Sequence, residues 1–282
     1  FASVLALGIV SAVVAGCGGS GASAPASSTP PASSGAPSAA EVKKVNVALE
    51  SGSKPLSFED EKGNKVGYEV DVLAAVDALI PDYDFNLEFV ESDATSIGLD
   101  TGKYVLIGGG LYKTKERQEK YLLPDALNGV SLINIYVHED DNSIKSLDDL
   151  VGKKVVPSTP NGGIYNLMTS YNAEHPNAPI TITTAEGVSV ADRFASVDTK
   201  QYDALVLPNN LGFNEIKAQL NLKVKAVETP VKINGTYFAL AKDQTDLAAK
   251  VNDALKTLRE DGMLAKLSVK WYGVDTIQYY KD

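Results

Sequence analysis

The chain reads KVNVALE at residues 44–50, GYEVDVLAAVDALI at 67–80 and FNLEFVE at 85–91. The first and third segments are short and rich in branched or aromatic residues, which favours strands. The middle segment carries apolar residues at helical spacing, and Pro81 ends it. Strand and helix repeated in this order predict a largely parallel, doubly wound sheet.

The same alternation continues toward the carboxyl terminus. YVLIGG at 104–109 predicts a buried strand that ends in glycines, and TKERQEKY at 114–121 predicts a polar helix. Near the end, two amphipathic helices are predicted on either side of Gly262. Further strands are predicted in 131–140, 180–185, 202–208, 222–228 and 235–243, with helices in 161–175 and 188–197, and residues 146–158 predict a capped turn of helix followed by a strand. We therefore expect two α/β lobes joined by two crossing strands.

The amino-terminal residues differ from the rest. Residues 1–16 are almost wholly apolar, too few to span a membrane but suited to the apolar core of a signal peptide whose start is missing here. Residues 17–43 contain Cys17 and a Gly/Ser/Pro-rich stretch typical of a flexible linker. Cys17 is the one cysteine, so no internal disulfide forms. It is either a lipidation site or an incidental thiol, and its small preceding residues resemble the lipobox of bacterial lipoproteins.

Charge and motif content exclude several functions. With 36 acidic and 26 basic residues the net charge is −10, which argues against nucleic acid as a partner. The sequence has no zinc spacing, phosphate loop or dinucleotide fingerprint, so we expect no metal and no cofactor. The two histidines, His138 and His175, are predicted on the surface rather than as general bases. We expect a protein that is not an enzyme.

Four motifs in order resemble the polar amino-acid-type solute-binding proteins of ABC transporters (family 3), with glutamine- and basic-amino-acid-binding proteins as the nearest likeness. They are SFEDEKGNKVGYEVDVLAAV (57–76), GGGLYKTKERQEKY (108–121), SLDDLVGKKVV (146–156) and DALKTLREDGMLAKLSVKWYG (253–273). The resemblance implies a periplasmic-binding-protein-like α/β fold, two doubly wound lobes joined by a two-strand hinge. We assign 44–128 plus 232–282 to lobe 1 and 129–231 to lobe 2.

The resemblance also implies a function. Such proteins close their lobes around a small ligand, and a membrane permease then recognises the closed form. We expect an extracytoplasmic monomer, anchored to the cell membrane by lipid on Cys17, that captures an amino acid or related carboxylate. A ligand-presenting sensor or orphan binding lipoprotein is the alternative, and a dehydratase-like enzyme on the same fold is a further one.

Four ligand-binding residues are expected in lobe 1. In the family the motif arginine, here Arg117, holds the ligand carboxylate with its guanidinium fork. The alternative is a surface arginine paired with a neighbouring glutamate. Gly110 and Tyr112 precede it, where strand-end N–H groups and a hydroxyl reach an anion. Glu50 ends the first strand and suits a cationic or donor-rich ligand tail, or else is a solvated acid.

The resemblance implies three more ligand-binding residues in lobe 2, and it also shows departures. Ser158, Asn161 and Gly162 lie in a loop that contacts the ligand in the family, although Ser158 and its neighbour Thr159 serve equally as helix caps. The family's ammonium-binding Asp is replaced by Pro208, and the adjacent Asn209 is the candidate that accepts a hydrogen bond there instead.

Ser53 and Ser92 are two further ligand-binding residues expected in lobe 1, at the places where the family usually has an aromatic pair that encloses the ligand. Together with the missing ammonium-binding Asp at Pro208, this change removes the contacts most typical of a free amino acid. We therefore expect a modified amino acid, or a small carboxylate without a free amine.

Overall fold

The computed structural model of the protein describes residues 42–281. The predicted signal peptide, Cys17 and nearly all of the predicted linker lie outside the described residues.

The first part of the described chain alternates strands and helices, as expected. Helix α1 buries Tyr68, Val72 and Val76 on one face, which is the face that its apolar spacing predicts. The elements are β1 (Lys43–Glu50), the hairpin β2 (Phe58–Glu59) and β3 (Lys65–Val66), α1 (Tyr68–Leu79), β4 (Tyr83–Val90), α2 (Ser92–Asp100), β5 (Leu106–Tyr112) and α3 (Lys115–Lys120).

The rest of the chain begins and ends with long elements. Gly262 adopts a left-handed conformation between the last two helices, which is the break that the sequence predicts. The elements are β6 (Gly129–His138), a 3-10 turn (Asp148–Leu150), α4 (Gly163–Glu174), α5 (Val190–Asp198), β7 (Ala204–Pro208), α6 (Phe213–Leu220), β8 (Val224–Ala226), β9 (Lys232–Leu240), α7 (Thr245–Glu260), α8 (Met263–Tyr272) and a final 3-10 turn (Ile277–Tyr279).

One sheet runs through the described residues in the order β4-β1-β5-β9-β6-β7, with β8 also paired to β6. Strand β1 pairs in parallel with β4 and β5, whereas the pairs that involve β6 or β9 are antiparallel. The expectation of a largely parallel sheet therefore holds for β4, β1 and β5 only. The reason is that β6 and β9 pass between the lobes in opposite directions and pair with each other through their first halves, residues 129–133 with 232–236.

Two regions predicted as strands form isolated bridges instead. Residues 180–185 contribute one bridge, between Thr184 and Ser158, and Val155 contributes another, to Ala204. Branched side chains favour extended backbone in both segments, but each finds a partner at a single position. The prediction of regular strands there is wrong.

The apolar cores lie on opposite sides of the β6–β9 pair. Two neighbouring residues of β6 belong to different cores. Leu132 packs in one core with Val72 and Phe238, whereas Ile133 packs in the other with Val206. A fully buried side chain of this size contributes roughly 1.5–3 kcal/mol to stability, so each core supports its own lobe. This two-lobe α/β architecture agrees with the fold class expected from the sequence. The residue boundaries assigned to the lobes stay a prediction.

Candidate functional site

Three of the predicted site residues meet at the carboxyl end of β1. The Glu50 carboxylate accepts a hydrogen bond of 3.0 Å from Ser92 Oγ and a longer one of 3.5 Å from Ser53 Oγ. A Cβ on Gly109 would stand 3.2 Å from Glu50 Oε2, so the carboxylate lies against the neighbouring strand β5. The open ends of parallel strands are where ligands bind in α/β sheets, and Glu50 is placed there.

Strand β5 continues through the glycines in which it was expected to end. The N–H groups of Gly109 and Gly110 donate to the two carboxylate oxygens of Glu69, at 2.7 and 3.0 Å. The Gly110 N–H is thus already paired inside the protein, which corrects the expectation that it reaches a ligand anion. With φ at +66° and Asn210 Nδ2 3.6 Å from where a Cβ would stand, Gly110 still borders lobe 2 closely.

Glu69 is a buried acid that the sequence analysis did not single out. It lies on α1 and is fully buried, and a third donor, Asn128 Nδ2, reaches it at 3.0 Å. Burial raises the pKa of Glu69 to about 7, against the opposing effect of the three hydrogen bonds that favour its charged form. Thr236 of β9 donates to Asn128 Oδ1 at 2.7 Å, so this buried network reaches a hinge strand.

Arg117 lies on the short helix α3, which Thr114 caps by accepting the Arg117 N–H. Its guanidinium donates to the Tyr112 carbonyl oxygen at 2.9 Å, and within residues 42–281 it forms no ion pair. The alternative pairing with Glu116 or Glu119 is therefore not found, and Glu119 instead lies 3.9 Å from Lys115. A half-buried guanidinium with donors to spare is suited to a ligand carboxylate.

Tyr112 connects lobe 1 to the hinge. Its hydroxyl lies 3.1 Å from Ser131 Oγ on β6, and its backbone pairs with Thr236 on β9. The Tyr112 ring thus lies between lobe 1 and the hinge strands.

The predicted loop in lobe 2 precedes helix α4. Ser158 is 3% exposed, and its hydroxyl has no hydrogen-bond partner within the described residues. Gly162 is the N-cap of α4 and no side chain caps it, so the alternative reading of Ser158 and Thr159 as caps is wrong. Asn161 has a left-handed backbone, with φ at 58°, which turns the loop into the helix.

Arg193, which was not predicted from the sequence, forms hydrogen bonds with this loop. It is 8% exposed on α5, and its guanidinium donates to the Pro157 and Val188 carbonyl oxygens and to Thr159 Oγ1, at 3.0, 3.4 and 3.3 Å. An arginine beside Phe194, on the apolar face of a helix, was the signal available in the sequence. Because its donors point at the backbone of the loop, Arg193 is a positioning residue.

Asn209 follows β7 and is oriented by the hinge. Its Oδ1 accepts the Leu132 N–H at 2.8 Å, which fixes the carbonyl end of the amide. Its Nδ2 is buried and has no partner among the described residues. The expectation that Asn209 accepts a hydrogen bond from an ammonium is corrected accordingly, since the unpaired group is a donor that suits a ligand oxygen.

Both lobes and both hinge strands line one cavity of about 470 Å³, which we call the cleft cavity. From lobe 1 it is lined by Tyr112, and from the hinge strands by Ile133, Lys232 and Asn234. The lobe 2 side is formed by Pro208 and by the first two turns of α4, from Gly163 to Ser170. Of the predicted site residues, Tyr112 lines this cavity, and Gly162 and Asn209 are sequence neighbours of the lining residues Gly163 and Pro208. The volume is typical of small-molecule sites.

The lobes also touch outside the cleft cavity. Asn214 Nδ2 on α6 donates to the Tyr272 carbonyl oxygen of α8 at 2.8 Å. A Cβ on Gly212 would lie 3.3 Å from the Lys54 carbonyl oxygen. These contacts hold the far lobe against the first at the open side of β1 and β5.

Two further features, a metal site and a membrane-spanning helix, are absent from the described residues. Between residues 42 and 281 no group of three or more His, Cys, Asp or Glu side chains is arranged to hold a metal ion. Over the same range, every helix is too short or too polar to cross a bilayer.

Known proteins resemble this chain over most of its length. The L-cystine-binding protein TcyJ of Bacillus subtilis is 32% identical over 223 residues, which is 78% of this chain and 80% of that protein. A putative L-cystine ABC transporter structure from Listeria monocytogenes is 28% identical with a TM-score of 0.60, covering 83% and 98% of the two chains. The probable amino-acid ABC transporter extracellular-binding protein ytmK from Bacillus subtilis, at 23% identity and a TM-score of 0.73, covers 83% and 99% and supports the fold.

The family model of the bacterial extracellular solute-binding proteins, family 3, matches residues 45–274, which include both lobes and every predicted ligand-binding residue. Its members bind solutes and are not enzymes, which confirms the expectation from the sequence. The chain belongs to the family 3 extracellular solute-binding proteins.

Proposed function

We propose that the chain is the lipid-anchored, extracytoplasmic solute-binding protein of an ABC importer, and that it captures a carboxylate-bearing amino-acid derivative by hinge closure. The observation that carries the proposal is the cleft cavity, because both lobes and both hinge strands line it. A ligand held there gains its full set of contacts only when the lobes are together, so binding favours the closed form. The membrane permease of the importer would recognise the closed form.

L-cystine is the first candidate ligand. Proteins named for L-cystine binding are similar to this chain at 32%, 26% and 29% identity over at least 78% of its length. The site departs from a plain amino-acid site at Pro208, and Asn209 presents a donor where an ammonium would need an acceptor. L-cystine carries an α-ammonium group at each end, so the departures at Pro208 and Asn209 do not favour it over other free amino acids. Its support is the similarity to these relatives, and Glu50 supplies an acid for one of its ammonium groups.

Arg117 is the proposed carboxylate anchor. Its guanidinium has no acidic partner within residues 42–281 and is held beside the cleft cavity by the Tyr112 carbonyl oxygen. A charge-assisted bidentate contact supplies both affinity and orientation. The unpaired Ser158 hydroxyl and Asn209 amide are the further donors that lobe 2 supplies.

The proposal is tested by thermal unfolding of the purified protein with L-cystine, other amino acids and small carboxylates. A ligand at about a hundred times its dissociation constant adds about 2.7 kcal/mol of stability, which is readily measured. Arg117→Ala should remove this gain for every carboxylate ligand, whereas Lys120→Ala, at an exposed position on the same helix, should keep it. Full affinity in the Arg117→Ala protein would refute the anchor.

Lipidation of Cys17 is the second part of the proposal. Its support is the sequence, with an apolar run that ends in Val14-Ala15-Gly16 before the cysteine. We expect Cys17→Ser to move the expressed protein from the membrane fraction to the soluble extracytoplasmic fraction, because several acyl chains hold a protein firmly. Mass spectrometry of the wild-type amino terminus should show the acyl mass, and an unmodified cysteine there would contradict the assignment.

A further inference from the structure

The cleft cavity contains a single charged side chain in its lining, that of Lys232. The Lys232 ammonium makes no hydrogen bond and no ion pair within residues 42–281, and no Asp or Glu shares the lining. Lys232 is exposed and lines the cavity, so its ammonium is available to pair with a negative group of a bound solute.

The register of the hinge strands directs Lys232 into the cavity. Lys232 stands opposite Ile133, and Asn234 stands opposite Ser131 in the same antiparallel pair. Alternate residues of a strand share a face, so Lys232 and Asn234 point to the same side, and both line the cavity. Helix α4 begins at Gly163 in the same lining, and a helix amino terminus also favours negative charge.

Lys232 is separate from the proposed carboxylate anchor. Arg117 is on α3 of lobe 1 and does not line the cavity, whereas Lys232 is on β9 at the hinge. A ligand with one carboxylate pairs with one of these cations and leaves the other unpaired. A ligand with two acidic groups pairs with both.

We propose that Lys232 is a specificity-determining residue that binds a second acidic group of the ligand, so that the protein selects diacidic solutes over monoacidic ones. The inference rests on the proposed solute-binding function of the same cleft and adds the class of substrate. The polar groups that accompany Lys232, above all Asn234 and Ser170, are placed to hydrogen-bond the same distal end. L-cystine, which carries a carboxylate at each end, belongs to this class.

Two ligand pairs that differ by one carboxylate test the inference by titration calorimetry on the full chain. The first pair is L-cystine and the mixed disulfide of cysteine with cysteamine. The second pair, which resists thiol exchange, is L-lanthionine and S-(2-aminoethyl)-L-cysteine. We expect the wild-type protein to bind the diacid of at least one pair roughly ten- to a hundredfold more tightly than its partner, as befits a hydrogen bond to a charged group.

The matched variants are Lys232→Met, which keeps the length of the side chain and removes its charge, and Lys266→Met at an exposed position on α8. Lys232→Met should reduce diacid affinity to that of the monoacid and leave the monoacid unchanged, whereas Lys266→Met should alter neither. Lys232→Arg should restore part of the preference.

The outcomes separate the two proposals. Equal loss of both ligands of a pair in Lys232→Met, or no preference in the wild type, overturns the diacid inference while the solute-binding function stands. If no compound of either pair, and none of the amino acids and small carboxylates, binds the wild type, the proposed function itself fails and the inference fails with it.

Discussion

At the scale of single residues, Pro208 and Asn209 place no negative charge on the lobe 2 side of the cleft cavity. Pro208 ends β7 and lines the cleft cavity, and the neighbouring Asn209 turns its carbonyl oxygen toward the Leu132 N–H. The position therefore carries no negative charge, and the free amide atom is a donor. An ammonium placed here would lose its hydration without gaining an anion.

Pro208→Asp should restore that anion. We expect the variant to bind free α-amino acids with an ammonium group about tenfold more tightly than the wild type, because an ammonium–carboxylate contact in a partly buried site is charge-assisted. Calorimetry with L-glutamine and L-arginine measures the change. Pro208→Asn removes the ring without adding charge and is the control, so equal affinities in the Asp and Asn variants would show that charge at this position is irrelevant.

The sequence was informative for residues with motif context and uninformative for those without it. Arg117 and Tyr112 stand inside a recognised segment. Tyr112 lines the cleft cavity, and the Arg117 guanidinium donates to its carbonyl oxygen. Glu69 and Arg193 are buried polar groups whose partners are backbone atoms far away in the chain, and sequence spacing does not encode such contacts. The signal for Glu69 was its helical phase, three residues before the buried Val72.

At the scale of elements, the Glu69 network joins α1, β5 and β9. The acid accepts hydrogen bonds from two β5 amides and from Asn128, which in turn accepts from Thr236. Burial raises its pKa to about 7 in the folded state, whereas the unfolded chain has the ordinary value of 4.5. Between these pH values the folded protein keeps a proton that the unfolded chain has released, so stability falls as pH rises.

The expected effect is a pH slope in the free energy of unfolding. Raising the pH from 5 to 8 should cost the wild type up to about 3 kcal/mol from this group, measured by urea unfolding at each pH. Glu69→Gln should lose this part of the slope even if its stability is lower throughout. Glu116→Gln, an exposed acid on α3, should keep the slope, and an identical slope in wild type and Glu69→Gln would contradict the account.

Elements were predictable where one face is apolar over several turns or where a strand is long and buried. Helix α7 and strand β6 fall in these classes, and their predicted places agree with the structure. Helices α2 and α6 were not predicted, because each is shorter than ten residues and only a few apolar residues mark the face that it packs inward. The antiparallel pairing of β6 with β9 could not be predicted from the sequence pattern either, since it joins residues about a hundred apart in the sequence.

At the scale of the whole molecule, the two lobes also contact each other outside the cleft cavity. The hydrogen bond from Asn214 to the Tyr272 carbonyl oxygen joins α6 of the second lobe to α8 of the first at 2.8 Å. A contact that exists only when the lobes approach raises the population of the closed form. Apparent ligand affinity rises in proportion to that population.

Asn214→Ala should therefore weaken ligand binding although the residue lies outside the cleft cavity. Loss of one hydrogen bond of about 1 kcal/mol predicts an affinity roughly fivefold lower, and small-angle X-ray scattering should show a larger radius of gyration for the ligand-free variant. Gln219→Ala, at an exposed position on the same helix, should change neither quantity. If Asn214→Ala binds as tightly as the wild type and scatters identically, this contact exists in the open form too, and closure is governed by the hinge strands alone.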